Sequence, residues 1–305
     1  MTKVNAGSPN QSTYTQDLYH QTVTACSAML TSLLSEAPNL DSLQEILMHT
    51  NIWIESPKIH ERERAIKSTR YILKFVSEQT DFDTTADFYL LGQLVALLGL
   101  HIGDSVKEIG QTSAEAAYHL HCIILNKMAQ EMAMKPKNKK GHNVTWAKED
   151  LQSSSPGIFY NDISIMAKAF GEHLSPINIT DLMLKIIEAL THEEKTICQA
   201  AGVLLLSFLE ECCMDMEEVP KILREIYHRL PNISEPATKQ NTLKSVCHLA
   251  SKWVKEVVDF LLERSPDCDQ SAGEIWRALT EDLFLKRRIH RALQKRLQGR
   301  RCRWL

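Results

Sequence analysis

The sequence has few residues that break helices or form tight turns: it contains 11 glycines and 10 prolines among 305 residues. Most of the prolines fall between segments whose apolar residues follow helical spacing, namely Pro38, Pro57, Pro156, Pro176, Pro231 and Pro266. Proline at such positions separates consecutive helices, because it ends a helix more readily than it fits inside one. No segment alternates apolar and polar residues as a half-buried strand does. The sequence therefore predicts an all-α protein.

Long apolar runs and a secretory leader are missing as well. No stretch of about eighteen residues is free of charged and polar residues, so no segment has the composition of a transmembrane helix. Residues 1–16 are polar and lack the basic segment and apolar run of a signal peptide. We therefore expect a soluble protein located in the cytoplasm, with the nucleus as the alternative.

The motifs of common enzyme classes do not occur. The eight cysteines are scattered without a CxxC pair, which argues against a disulfide framework. The phosphate-binding patterns GxxxxGKS/T and GxGxxG and the nucleophile pattern GxSxG are absent. Paired acidic residues such as Glu193 and Glu194 are consecutive on a predicted helix, so their side chains diverge. We therefore predict no enzyme activity and assign no catalytic, cofactor-binding or metal-binding residue.

The densest group of soft metal ligands is formed by His119, His121 and Cys122. On a helix His119 and Cys122 share a face, but His121 points elsewhere. No second pair lies at metal-ligand spacing. We interpret these three residues as core or surface residues rather than as a zinc site.

Apolar residues recur at helical spacing in thirteen segments. We predict helices over 14–34, 41–53, 58–78, 85–100, 105–132, 161–173, 180–190, 192–212, 217–229, 235–249, 251–264, 271–280 and 282–298. The helix at 105 opens with Ser105 followed by Glu108, which has the form of a capping box. Residues 235–264 could instead form one bent helix, because no glycine or proline interrupts them after Pro236.

The segment from Phe88 to Leu100 is apolar around most of its circumference, so this helix must be covered on two sides. Burying one leucine contributes about 1.5 to 3 kcal/mol, whereas ordering each residue costs about 1 to 2 kcal/mol, so an isolated helix pair stays unfolded. Stacked pairs of about 40 residues are typical of HEAT and armadillo arrays. A globular bundle has the same periodicity but usually lacks such regular pairing. We predict an α-solenoid of stacked HEAT-like helix pairs.

The pattern is interrupted once, where the lysine-rich residues 135–141 run into the serine-rich residues 153–157. This break divides the array into two parts. We predict a flexible N-terminus over 1–13, N-terminal HEAT-like repeats over 14–133, a basic and Ser-rich loop over 134–160, C-terminal HEAT-like repeats with a basic final helix over 161–298, and a tail over 299–305.

The final helix is the candidate interaction element. Lys286 to Arg303 contains nine Lys or Arg and no Asp or Glu. These nine cations leave a net charge of about −12 elsewhere, since the whole chain carries −3. Leucine or isoleucine recurs every four residues, and the candidate interaction residues between them are Lys286, Arg287, Arg288, Arg291, Lys295 and Arg296. The helix could cap the solenoid, bind nucleic acid or direct nuclear entry, bind an acidic partner, or enter the groove of a calmodulin-like protein.

Three runs carry more specific motifs: WIESP at 53–57 with HERERA at 60–65, LGQLVALLG at 91–99 with Asp104, and VVDFLL at 257–262 with Pro266 and EIWRAL at 274–279. In this order they resemble the maestro heat-like repeat family, and together they span most of residues 40–297. The resemblance implies a scaffold of helical repeats and carries over no catalytic or cofactor residue. HEAT-type helices commonly place an Arg after an Asp such as Asp104, but Gly110 or Gln111 occupies that place here.

We predict a non-catalytic helical-repeat scaffold or adaptor that binds partner proteins on an extended solenoid surface, without a cofactor. The alternative is a nucleic-acid-associated or nuclear protein that uses the basic C-terminal helix. Such binding would weaken steeply with salt, whereas an interface centred on apolar side chains would change much less. Many family members are longer, so this chain is a short member, an isoform or a fragment.

Overall fold

The computed structural model describes residues 9–134, 160, 162–211, 218–264 and 269–301, in which it forms thirteen α-helices. The first five are α1 Pro9–Glu36, α2 Leu40–Ile54, α3 Ile59–Glu78, α4 Leu91–Ile102 and α5 Lys107–Met134. The others are α6 Ile163–Gly171, α7 Pro176–Ala189, α8 Lys195–Glu211, α9 Val219–Arg229, α10 Pro236–Lys252, α11 Val254–Leu262, α12 Gln270–Glu281 and α13 Leu283–Arg301. A 3-10 turn at Leu230–Asn232 follows α9. Within the described ranges no helix is long and apolar enough to span a bilayer.

The helices stack in two layers. In one layer α2, α4, α7, α9, α11 and α13 lie side by side, and in the other α1, α3, α5, α6, α8, α10 and α12 do so. Successive helices such as α2 and α3, or α4 and α5, pack across the two layers. The main apolar core runs continuously between the layers, from Leu34 to Ile289. This architecture is the predicted α-solenoid of stacked helix pairs.

Side-chain contacts repeat at about the length of one helix pair. Arg70 bonds Glu115, 45 residues further along the chain. The Thr238 hydroxyl donates to a backbone carbonyl 40 residues earlier, at Cys198. Lys239 bonds Glu274, 35 residues later. The unit of roughly 40 residues expected from the sequence is therefore visible in the contacts between successive repeats.

Polar side chains in the turns between helices cap the N-termini of several helices. The Asn39 carboxamide oxygen accepts the Ser42 amide at the start of α2, and Ser175 accepts the Asn178 amide at α7. Near α5 the Asp104 carboxylate accepts the Val106 amide at 2.9 Å. The capping box expected of Ser105 and Glu108 is wrong, because each of these side chains bonds a neighbouring repeat: the Ser105 hydroxyl bonds Glu194, and Glu108 pairs with Lys67.

The apolar helix α4 is buried along nearly its whole length, as its composition predicted. It begins at Leu91, six residues later than predicted, because the preceding backbone bonds a neighbouring helix. The Gln44 amide donates to the Asp87 carbonyl at 3.0 Å and accepts the Leu90 amide at 3.2 Å. Residues 79–88 form no helical turn, and the chain turns at Tyr89 and Leu90 just before α4, while Phe88 stays buried.

The other predicted boundaries differ in detail. Helix α1 begins at Pro9, so part of the segment 1–13 that was expected to be flexible is helical. A break at Trp253, with φ −120° and ψ 56°, separates α10 from α11 and excludes the single bent helix. The predicted basic loop over 134–160 lies outside the described residues, except that Met134 ends α5 and Tyr160 is fully buried. In the predicted tail over 299–305, helix α13 continues to Arg301 and residues 302–305 lie outside the described part.

Candidate functional site

A buried group of charges ties three successive repeats together at the turns between their helices. Arg62 on α3 is 3% exposed, and its Nε lies 2.9 Å from Oδ2 of Asp104, whose side chain is fully buried. The Arg62 Nη2 lies 3.1 Å from Glu194, just before α8. The Arg62 Nη1 donates to the Ser56 carbonyl at 3.1 Å, and the His101 ring nitrogen Nδ1 lies 3.1 Å from Asp104. We call these five residues the turn cluster.

The turn cluster keeps Asp104 ionised. Burial alone would raise its pKa, but hydrogen bonds from His101, the Val106 amide and Arg62 outweigh burial and lower the pKa from 3.8 to about 2. Because the folded-state pKa is lowered, the contribution of Asp104 to stability is fully present above pH 3.8 and is lost as the pH falls through about 2. At neutral pH Asp104 is therefore ionised, and its bonds to Arg62 and His101 stabilise the turns.

A small solvent-open pocket of about 100 Å³ adjoins the turn cluster. Lys185 on α7 lines it, and its Nζ lies 2.5 Å from Glu55 and 3.1 Å from Glu188. Although burial alone would lower the pKa of Lys185, its bonds to these two carboxylates raise it. At the wall of the pocket, the ion pair of Lys185 with Glu55 therefore links α7 to the residue that follows α2.

Large apolar side chains are exposed on both sides of the turn between α2 and α3. Met48 and Ile52 lie one helical turn apart and are 46% and 68% exposed, and Trp53 is 54% exposed. Ile59, the first residue of α3, is 50% exposed. The Ser56 amide donates to the Trp53 carbonyl at 3.2 Å, which fixes the backbone between them. We call Met48, Ile52, Trp53 and Ile59 the turn patch.

The basic helix α13 packs on the solenoid through the apolar residues that recur along it. Leu285 and Ile289 are 2% and 3% exposed, and Leu293 is partly buried against the same core. The helix lies against α11 and α12. Its apolar face is therefore used inside the protein, so the helix in this position cannot offer that face to a calmodulin-like groove.

The six candidate residues of α13 divide into two sets. Arg288 donates to the Ser251 carbonyl, and Arg296 pairs with Asp259 on α11. The remaining four are exposed and make no ion pair with a carboxylate of the described residues; they are Lys286, Arg287, Arg291 and Lys295. We call these four the basic stripe. The prediction that the six residues bind a partner remains a prediction, and the basic stripe is the part of them available for it.

The histidines near Cys122 belong to the interior. His119 Nδ1 lies 3.0 Å from the Ser77 hydroxyl, and burial lowers the pKa of His119 to about 4. His121 Nδ1 lies 2.5 Å from the Tyr160 hydroxyl, while its Nε2 lies 3.3 Å from His173. Burial, with His173 nearby, lowers the pKa of His121 to about 3. Both rings are neutral at physiological pH and connect neighbouring helices.

A family model described as "Maestro, HEAT repeats" matches residues 60–289. The chain belongs to the Maestro HEAT-repeat family. It is 30% identical to human Maestro heat-like repeat family member 5 over 88% of this chain and 22% of that protein. It is 26% identical to mouse family member 1 over 92% of this chain and 17% of that protein. The chain thus spans about a fifth of the length of these relatives. No solved structure matches it.

The Maestro motifs supply residues at the turns between the helices. HERERA opens α3 and supplies Arg62, while the Asp that follows the apolar helix α4 is Asp104. The sequence indicated no Arg for Asp104 within its own helix, and the structure shows that this Arg comes from the preceding repeat, 42 residues earlier. The turn patch, which contains the Trp of the same motif, was not predicted. Both features had a signal in the sequence. Arg62 is charged but follows the helical spacing of the buried Ala65 and Ile66, and Trp53 lies outside the buried face of α2.

Proposed function

We propose that this helical-repeat chain is a non-catalytic scaffold or adaptor that binds partner proteins on its solenoid surface. The observation that carries the proposal is the turn patch, in which four large apolar side chains are exposed beside a turn fixed by buried charges. Exposed tryptophan with apolar neighbours is characteristic of the few residues that dominate protein interfaces. A rigid support lets such residues bind with little loss of conformational entropy.

A double substitution, Ile52→Asp with Trp53→Ala, is expected to abolish partner binding. Removing a central aromatic anchor weakens an interface by about 2 kcal/mol or more, roughly thirtyfold in affinity. The tagged chain is used to capture proteins from nuclease-treated lysate, and recovery is quantified by mass spectrometry. The control is Ile177→Asp, because Ile177 is 74% exposed but lies at the start of α7. Equal recovery by the double variant and the unmodified chain would contradict the proposal.

A second candidate function, association with nucleic acid, is supported by the basic stripe. The Arg287, Arg291 and Lys295 positions are spaced by four residues and so follow one side of α13 at intervals of about 6 Å. Three exposed cations on one side of the helix, without an ion pair among the described residues, suit a phosphate backbone, although the rest of the chain is acidic overall. A nuclear location would suit this second function, and for the scaffold function we propose a cytoplasmic location.

Neutralising the basic stripe, with all four residues replaced by Gln, is expected to remove any nucleic-acid binding. Each lost phosphate contact should reduce the slope of log affinity against log salt by about 0.7 to 0.9. Substitution is preferable to truncation after Leu285, because truncation would remove the buried Ile289 from the core. The measurement is fluorescence anisotropy of a labelled duplex and of a single strand over a salt series.

The control for this experiment removes the same charge elsewhere. It replaces four exposed lysines on other helices by Gln: Lys107, Lys221, Lys244 and Lys255. If both quadruple variants lose binding equally, the effect comes from net charge and the basic stripe has no specific role. If neither the unmodified chain nor the control binds, the second candidate function is wrong.

A further inference from the structure

Helix α1 has a second apolar surface besides the one that packs on the solenoid. Its packing face consists of residues spaced by three and four: Val23, Ser27, Leu30 and Leu34. About a third of a turn away lies a second row at the same spacing, formed by Leu18, Thr22, Ala25, Cys26, Met29 and Leu33, all exposed. Leu18, Met29 and Leu33 are 53%, 57% and 48% exposed. We call this second row the α1 stripe.

The α1 stripe is uncharged. No Asp, Glu, Lys or Arg occurs between Leu18 and Ser35. The hydroxyl of Thr22, in the middle of the stripe, donates to the Leu18 carbonyl at 2.8 Å, so it requires no outside partner. On α13, by contrast, the exposed side carries the basic stripe. Exposed large apolar side chains without a charge among them form a surface suited to being covered by another molecule, and the α1 stripe is such a surface.

The order of large and small residues in the α1 stripe makes it complementary to itself. When two copies of α1 run antiparallel about a twofold axis between Ala25 and Cys26, Leu18 of one copy faces Leu33 of the other. In the same register Thr22 faces Met29, and Ala25 faces Cys26. Each large side chain at an end meets a large one, and the small residues in the middle let the two helices approach closely. An interface of this kind is isologous, as in most homodimers.

We propose that the α1 stripe joins two copies of this chain in an antiparallel, twofold-symmetric contact. A charged partner would find no complementary group on the stripe, whereas a second copy brings no like-charge repulsion and pairs every member of it. One helix face buries less area than a standard stable interface, so the dimer is transient and forms at high concentration. It is independent of the turn patch and the basic stripe, which lie on other helices.

Sedimentation velocity over a concentration series tests the proposal directly. The unmodified chain is expected to shift from monomer to dimer as concentration rises. Met29→Glu is expected to remain monomeric, because the dimer would place its carboxylate against Thr22 without a partner. Leu283→Glu, at a side chain that is 73% exposed on α13, is the control and should dimerise normally.

The register is tested by charge pairing and by cross-linking. The double variant Thr22→Lys with Met29→Glu places a lysine of each copy opposite a glutamate of the other, and it is expected to restore the dimer that Met29→Glu loses. A short bis-maleimide should join the two exposed Cys26 thiols at concentrations where the dimer forms, and Cys26→Ser should prevent this product. Circular dichroism verifies that all variants are folded.

The proposal is overturned by any of three results. They are a chain that stays monomeric throughout the series, a dimer that Met29→Glu leaves intact, and a Met29→Glu defect that the charge-paired double variant fails to repair. The last result would replace the antiparallel register by another contact, and the first would leave α1 without a self-association role.

Discussion

Replacing Arg62 with leucine is expected to lower the free energy of unfolding by about 3 to 5 kcal/mol, the range typical of removing one partner from a buried ion pair. The side chain is 3% exposed and bonds Asp104, Glu194 and the Ser56 carbonyl. Its loss leaves the fully buried Asp104 carboxylate with His101, the Val106 amide and a long 3.5 Å bond from the Ser105 hydroxyl. Urea unfolding monitored by circular dichroism measures the change.

Two further variants show whether the loss of stability comes from leaving a buried charge unpaired or from losing any ion pair. Replacing both Arg62 and Asp104 by leucine removes the isolated charge, so the double variant is expected to be more stable than Arg62→Leu alone. Lys74→Leu breaks an exposed pair with Glu78, whose atoms are 3.9 Å apart, and should change stability by less than about 1 kcal/mol. If Arg62→Leu changed stability as little as Lys74→Leu does, the turn cluster would not support the turns.

Replacing Gly92 with alanine is expected to destabilise the protein by about 2 to 3 kcal/mol through overpacking. A Cβ added there would lie 2.1 Å from the Asn178 carbonyl oxygen and 2.9 Å from its carbon. These are backbone atoms of α7, so the contact is relieved only when one helix moves away from the other. The movement would loosen the packing of α4 on α7. The packing energy lost in this way exceeds the gain of about 1 kcal/mol that alanine brings in helix propensity.

The control for Gly92 is a glycine in another helix. Gly273→Ala, at a half-buried position within α12, should be neutral or stabilising by up to about 1 kcal/mol. Thermal unfolding by calorimetry compares the two variants with the unmodified chain. Equal or greater stability of Gly92→Ala would show that α4 and α7 do not approach as closely as their backbones indicate.

The sequence predicted all thirteen helices of the described ranges because apolar spacing decides which residues enter a two-layered core. It placed the start of α4 six residues too early, since the apolar residues Phe88 and Leu90 are buried without being helical. That boundary depends on Gln44, which bonds the backbone from 43 to 46 residues away. Spacing along the chain carries no information about such a distant hydrogen bond.

The candidate surfaces were predictable in part. Periodicity distinguished the buried Leu285 and Ile289 from the cations between them, but it could not assign Arg288 and Arg296 to neighbouring helices. That assignment depends on how α13 lies against α10 and α11. The turn patch could have been recognised, because Ile52 lies outside the face of α2 that places Leu47 in the core.

Hydrogen–deuterium exchange tests the scaffold proposal most directly when it is measured on the chain alone and in complex with a captured partner. The proposal predicts slower exchange in the complex over the end of α2, the following turn and the start of α3, residues 48–60. The Ile52→Asp and Trp53→Ala double variant should show no such protection when mixed with the same partner. Protection confined to α13, or a complex that nuclease disperses, would contradict the proposal and favour the basic stripe as the functional surface.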